Sequence, residues 1–413
     1  MAKKLYLFVE YYPYDYKEAY ISHELSVISE FYDTIYIITK GSGVKSELLS
    51  ENTKIIRIPD YIDHAKLGKG KLSDILIFFK SIFHPSGRTL YRYNYDLLRY
   101  VVSLSKRIRE IKKFIRYADT IDNIISETSV IDDEKYFYSY WFYDWVYILS
   151  ILKNRGIVRQ FYSRTHRFDL YDENGWLAPY RNLQFKYCDK VISISDDGYK
   201  YLRKRNKKFS NKITKSHLGT RDYGPFCNGR VQDGPLRIVT CSELIPRKRL
   251  DLVIHALMNV TIDVEWYHFG GGILKDEITR MAKVLPSNIT WKISGHISNE
   301  KMMQFYKSNY VDLFINVSES EGIPVSLMEA ASFGIPLFAT DVGGSSEIVN
   351  KQTGFLLPVN FSVEELSKLI RQFPNSRFNT SNFRKGVREY WKNNFWAKKN
   401  YTNFYYLTEK LNG

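Results

Sequence analysis

Cysteine is scarce in this chain: three residues in 413, at Cys188, Cys227 and Cys241. They are scattered and show no metal-like spacing, which argues against a disulfide scaffold or a zinc site and for a reducing compartment. Long apolar runs are also missing. No stretch approaches the ~20 residues needed to span a bilayer. The start, Met1-Ala2-Lys3-Lys4, leads into only a short apolar strand, Leu5 to Val9, before Glu10, so no signal peptide is expected and a cytoplasmic setting fits. Nothing in the first hundred residues matches a glycine-rich phosphate loop, so a dinucleotide is not expected there. Acidic charge is in deficit, with 45 Asp and Glu against 60 Lys and Arg, for a net +15. That excess calls for an anionic partner: nucleic acid, phospholipid or a phosphorylated substrate.

What is present reads as a two-domain α/β protein. The length suffices for two cores, and 25% charged with 44% hydrophobic residues is ordinary for a globular chain. Apolar strands at Leu5–Val9, Ile35–Ile38 and Ile55–Pro59 alternate with a helix at Ala19–Phe31, the pattern of a doubly wound parallel sheet. Tyr136–Trp141 reads as a further strand and Asp144–Leu152 as its helix. The strand within Gln160–Tyr171 ends in a polar cluster of Arg164, His166, Arg167 and Asp169, where an α/β sheet binds ligands. Tyr223–Pro235 is rich in Gly, Pro, Asn and Asp and reads as a linker, giving domains at 1–222 and 236–387. Between Lys66 and Arg116 lie thirteen basic and three acidic residues. An apolar helix at Leu72–Phe83 beside a basic one at Leu90–Tyr117 can dock on an anionic membrane, or simply present a solvated basic face. A nucleic-acid partner is discounted, because no recognised nucleic-acid module accompanies the patch.

The chain is organised around Ser318–Glu329. A buried strand, Val311–Val317, precedes it, and a helix, Val325–Phe333, follows Pro324. A helix start offers unpaired N–H groups and a positive dipole end, which favour an anion. Gly322 permits close approach to the backbone. Glu321 and Glu329 flank this turn and can reach hydroxyls on either side of the anion. A sugar nucleotide has that shape. After Leu236–Cys241, the turn Arg247-Lys248-Arg249 offers cations to a diphosphate.

From Glu321 through Gly334-Ile335-Pro336 and Gly343-Gly344-Ser345-Ser346-Glu347 to Gly354–Pro358, the chain resembles the donor-binding signature of family 4 retaining glycosyltransferases. The glutamates match that family's Glu-x7-Glu motif. The resemblance implies the GT-B fold: two Rossmann-like domains facing across a cleft, with the C-terminal segment (about 388–413) crossing back to the first. It implies a nucleotide-sugar donor, UDP-linked ahead of GDP-linked, and metal-independent chemistry with no cofactor, in keeping with the absence of any Asp-x-Asp. Glu321 is expected on the donor sugar, Glu329 on the ribose, and Ile297 on the base. Gly322, Ile323, Pro324, Val325 and Lys248 are expected around the diphosphate. Glu243 stands where the family usually has an arginine, so Arg247 or a first-domain residue is expected to supply the second charge. His166 is the candidate beside the reaction centre. Glu18 and Asp169 are assigned to the acceptor side, for a lipid-linked or glycan acceptor in bacterial surface glycan synthesis, with docking on the inner membrane face as the accompanying expectation. A phosphorylase-like enzyme and a non-catalytic membrane-docking scaffold of the same fold are the alternatives.

Overall fold

The computed structural model describes residues 1–14, 18, 20–43, 49–59, 97–171 (backbone only for 97–110), 181–224 and 234–410. Two parallel sheets carry the chain. The first contains β1 (Lys3–Phe8), β2 (Thr34–Thr39), β3 (Thr53–Arg57), β4 (Glu134–Ser139), β5 (Tyr162–Thr165), β6 (Lys190–Ser193) and β7 (Ile213–Lys215), in the order 3-2-1-4-5-6-7. The second contains β8 (Leu236–Cys241), β9 (Val264–Phe269), β10 (Ile289–Ile293), β11 (Leu313–Asn316), β12 (Leu337–Thr340) and β13 (Gly354–Leu357), in the order 10-9-8-11-12-13. The strands read as near-continuous apolar runs because helices cover both faces; every residue of β11 and β12 is buried. Each sheet reverses its winding once, between β1 and β4 and between β8 and β11. Loops at the carboxyl ends of those strands part there and leave a crevice. The expected doubly wound, two-domain fold is the observed one.

The domains share an apolar cluster running from Leu5, Leu25 and Tyr138 through Leu218 to Met328 and Trp391. Helix Ser381–Asn394 packs on the second domain's helix Val325–Ser332. The chain then turns at Phe395 and Trp396, and helix Ala397–Glu409 lies on the first domain's helix Ile21–Ile28. The crossing thus falls at 395–396, later than the expected 388. Thr220 fixes it: its N–H donates to the Phe395 carbonyl (2.9 Å), its carbonyl accepts from the Ala397 N–H (2.9 Å), and its hydroxyl accepts from the Trp391 indole (2.8 Å). A Cβ on Gly219 would lie 2.7 Å from the Ala397 Cα, so only glycine permits this approach.

The basic helix runs Leu97–Thr128, eleven residues past its expected end at Tyr117. The cause is visible in Ile111, Phe114, Ile115, Ala118, Ile121 and Ile125, a helical stripe buried partly against Asp144–Asn154, with Phe114 and Tyr147 rings 5.1 Å apart. The apolar segment Leu72–Phe83 and residues 66–96 of the basic region lie outside the described residues. No described helix is long and apolar enough to cross a membrane.

Candidate active site

The turn after β11 begins with Asn316, which ends an otherwise apolar strand. Its amide donates to Glu321 Oε1 (3.3 Å), and its own side-chain oxygen accepts from the Ser318 N–H (3.0 Å). Glu321 is buried, and Lys248 Nζ donates to the same Oε1 at 2.5 Å. Burial pushes the Glu321 carboxyl up, but the Lys248 charge and the hydrogen bonds outweigh it and hold the group below its ordinary value. Lys248 arrives from the end of β8 through the short helical turn Pro246–Lys248, and Arg249 follows in the left-handed region at φ 49°. A small cleft behind the pair is lined by Thr240, Cys241, Ser242, Lys248, Asn316 and Val317.

Pro324 caps the helix Val325–Ser332, one position earlier than the first-turn place the sequence suggests. Gly322 and Ile323 are buried between this cap and the loop 341–345, and the Gly344 N–H donates to the Gly322 carbonyl (2.8 Å). Arg247 lends its carbonyl to the Glu319 N–H (2.8 Å), while its guanidinium has no partner among the described residues. Arg249 is structural: its guanidinium donates to the carbonyls of Val317 and Val359, both at 2.8 Å.

Glu329 sits a turn further on, buried, and Oε1 accepts from Asn299 Nδ2 (2.5 Å). His23 Nε2, from the first domain, lies 3.3 Å from the same oxygen. Neither partner follows from the sequence, since each stands alone in an otherwise ordinary helix. Ile297 is partly buried and lies two residues before Asn299, just ahead of the helix Asn299–Ser308.

Across the crevice, the ends of β1, β4 and β5 build an aromatic setting for His166. Tyr140 stacks on the imidazole with centroids 4.8 Å apart, and Trp141 lies at 4.4 Å. His166 is 5% exposed, and neither ring nitrogen has a hydrogen-bond partner among the described residues. Burial first, and the Arg164 charge second, hold it well below its ordinary pKa, so the ring is neutral. Glu18 serves this setting indirectly. It is buried, and its carboxylate accepts from the Tyr11 N–H (2.7 Å), the Tyr12 N–H (2.5 Å) and the Trp141 indole (2.6 Å). Asp169 does the same from below, accepting from the backbone N–H groups of His166 and Phe142, each at 2.6 Å. Burial pushes its carboxyl up to about 7 against the pull of Arg181 and those N–H groups.

The polar cluster at 164–169 therefore divides. Arg164 belongs to the core: it is fully buried, pairs with Glu24 (3.2 Å), donates to the Tyr138 hydroxyl (2.8 Å) and lies 3.9 Å from the Phe404 ring centroid. Arg167 faces the second domain, where its Nε donates to Ser320 Oγ (2.8 Å). A second bridge between domains lies at Glu347. Its carboxylate accepts from the Asp196 N–H (2.8 Å) at the start of helix Asp196–Arg205, and His217 Nε2 lies 2.9 Å from it. Asp196, His217 and Glu347 have ligand-type atoms within 4.8 Å of one another, but Glu347 is occupied as a helix cap.

Two parallel Rossmann-like sheets, the crevice between their switch points, and the returning C-terminal helix define the GT-B fold of glycosyltransferases. A glycosyltransferase of Rickettsia africae superposes over 99% of this chain and 98% of its own at TM-score 0.69 and 15% identity. Anabaena HepE in complex with UDP-glucose does so over 99% and 100% at 0.66 and 13%. More narrowly, residues 228–394 match the family described as "Glycosyl transferases group 1". The GtfA subunit of the UDP-N-acetylglucosamine–peptide N-acetylglucosaminyltransferase of Streptococcus gordonii is 28% identical over 192 residues, covering 43% of this chain and 36% of that protein. The chain thus spans about a third of the curated relatives it matches first.

Proposed function

We propose that this protein is a retaining glycosyltransferase that moves a sugar from a nucleoside-diphosphate donor to a hydroxyl of a lipid-linked or glycan acceptor in bacterial surface glycan synthesis. The observation that carries this is the buried Lys248–Glu321 pair at the Gly322 turn, opposite His166 across the crevice. The first-turn N–H groups of Val325–Ser332 and the Lys248 ammonium are fixed donors for the charge that develops on a departing diphosphate, the kind of preorganised stabilisation that dominates many rate enhancements. Glu321, kept ionised, accepts from donor-sugar hydroxyls. Glu329 and Ile297 hold the nucleoside, with Asn299 and His23 orienting the carboxylate. His166, neutral and locked between aromatic rings, offers a ring nitrogen to the sugar near the reaction centre. Glu18 and Asp169 position that histidine and shape the acceptor side. A UDP-linked donor is favoured because the S. gordonii relative is named for UDP-N-acetylglucosamine and the Anabaena neighbour holds UDP-glucose.

Thermal shift with UDP, GDP and ADP is the test, since a ligand that binds only the folded state raises its apparent stability. UDP is expected to give the largest shift. No shift with any of the three overturns the reading. Transfer assays with lipid-linked, oligosaccharide and peptide acceptors then assign the acceptor; transfer to peptide alone would replace the glycan reading. Full activity in EDTA and an α-configured product from an α-linked donor are the outcomes expected of metal-independent retention. Docking through the basic 66–116 region predicts flotation with anionic but not neutral vesicles, and equal binding to both rejects it.

A further inference from the structure

We infer that His23 of the first domain is a positioning residue for the donor's ribose: it aims the Glu329 carboxylate and so ties nucleoside binding to domain closure. The inference rests on the glycosyltransferase reading above, in which Glu329 receives the ribose. His23 lies in helix Ile21–Ile28 among the buried Ile21, Leu25 and Ile28, and is itself 1% exposed. Among the described residues its side chain makes one hydrogen bond, between Nε2 and Glu329 Oε1 at 3.3 Å, and that bond crosses from one domain to the other. Nδ1 is buried with no partner among the described residues. Burying an imidazole with one nitrogen unpaired costs free energy that a leucine in this apolar setting would avoid. Stability alone gives no reason for a histidine here, whereas the placement of Glu329 does.

Glu329 is held from both domains through the same oxygen. Asn299 Nδ2 donates to Oε1 at 2.5 Å, and the Tyr223 hydroxyl donates to Asn299 Oδ1 at 3.1 Å, which fixes the way that amide faces. With Nε2 opposite a carboxylate, His23 carries its proton there and gives Oε1 a second N–H. Oε2 has no partner among the described residues and is left to accept from a ribose hydroxyl. Asn299 belongs to the second domain and travels with Glu329; His23 does not. When the domains part, the carboxylate keeps one hydrogen bond and regains freedom to rotate. When they close, two donors pin one oxygen and aim the other. Closure therefore favours ribose binding, and by linkage a bound ribose favours closure to the same extent.

Isothermal titration of UDP and of 2′,3′-dideoxy-UDP, which lacks both ribose hydroxyls, against the wild type, His23→Leu, His23→Gln and His255→Leu tests this. The wild type should prefer UDP about ten- to a hundredfold, the range for hydrogen bonds to a charged group. In His23→Leu this preference should shrink by about threefold or more, because Oε2 is no longer aimed. His23→Gln keeps an N–H donor of similar reach and should recover part of the preference. His255 is exposed on the second domain, and His255→Leu should leave both affinities unchanged. In the wild type, UDP should slow amide exchange at 21–28 more than the dideoxy nucleotide does, and this difference should disappear in His23→Leu. A merely structural role would weaken both ligands equally and leave the preference as it was. Should His23→Leu fail to fold, His23→Asn, polar but too short to reach Glu329, takes its place. If GDP gives the larger thermal shift, the matching guanosine pair is used. A preference that is unchanged or larger in the His23 variants overturns the role of His23 and leaves the enzyme reading intact. A wild type with no preference for UDP removes Glu329 from the ribose and the role of His23 with it. A wild type that binds none of UDP, GDP and ADP overturns the enzyme reading as well.

Discussion

At the scale of single residues, the Lys248–Glu321 pair is the most exposed to test. Both groups are largely buried, and removing one partner of such a pair leaves the other charge uncompensated, typically at a cost of roughly 3–5 kcal/mol. Glu321→Gln is therefore expected to lower the unfolding free energy by about 3 kcal/mol. It should also abolish most transfer activity while retaining measurable UDP binding. Denaturant titration and a transfer assay on the same preparation check both; full activity in the variant would remove Glu321 from the site. His166 carries a pH prediction. Its folded-state pKa is well below the ordinary 6.5, so below pH 6.5 the unfolded chain binds a proton that the folded one does not. Its contribution to stability is present above that pH and is lost as pH falls, by up to about 1.4 kcal/mol per unit. Urea curves for the wild type and His166→Gln should converge or cross as pH drops from 7 to 5. Parallel curves would show that the imidazole takes up its proton in the fold as readily as in the unfolded chain. These residues were legible because each follows an apolar strand that breaks at a polar or Gly/Pro turn. The partners of Glu329 were not, because His23 and Asn299 stand 306 and 30 positions away in sequence and carry no local signal.

At the scale of elements, the doubly wound parallel architecture followed from alternation of apolar runs and amphipathic stretches, while the order of strands within each sheet is read from the structure. Helix ends did not follow either. The helix ending at Thr128 outran its expected stop because its buried stripe continues past Tyr117, and the crossing shifted to 395–396 because Thr220 pairs with both sides of that bend. The loop 341–345 is an element whose importance lies in backbone space. Gly343 has φ 52°, and a Cβ there would lie 1.9 Å from the Glu321 carbonyl oxygen. Gly343→Ala must push the Glu321 turn aside. A loss of roughly 2–4 kcal/mol, with UDP affinity falling in parallel, is expected from a clash with fixed backbone in the left-handed region. Gly386→Ala is the control: its Cβ meets nothing within 4 Å and the residue sits inside helix Ser381–Asn394, so it should be neutral or stabilising. Equal melting temperatures for the two variants would mean that the loop yields freely.

At the scale of the molecule, two kinds of contact hold the domains together. The returning helix buries apolar surface on the first domain and is not expected to release. The polar bridge at Glu347 is different: a second-domain carboxylate accepts from the Asp196 and Asp197 N–H groups that begin a first-domain helix, with His217 2.9 Å away. Capping interactions of this kind contribute about 1 kcal/mol, and those involving a charge about 1.5–3. That is enough to change a domain equilibrium several-fold yet small enough to be broken by rocking. Glu347→Ala should therefore favour the open arrangement. Small-angle scattering should show a larger radius of gyration for this variant, and amide exchange at 195–198 should speed up. UDP should bind more weakly than to the wild type, because apparent affinity falls with the fraction of molecules that can close. The weakening should vanish in scattering at saturating UDP, where binding restores compaction. Glu364→Ala removes an exposed pair with Arg371 on the second domain and should alter none of these readings. If Glu347→Ala scatters and binds UDP like the wild type, the bridge follows closure rather than governing it, and the angle between the domains is set by the returning helix and the contacts at Arg167–Ser320 and His23–Glu329.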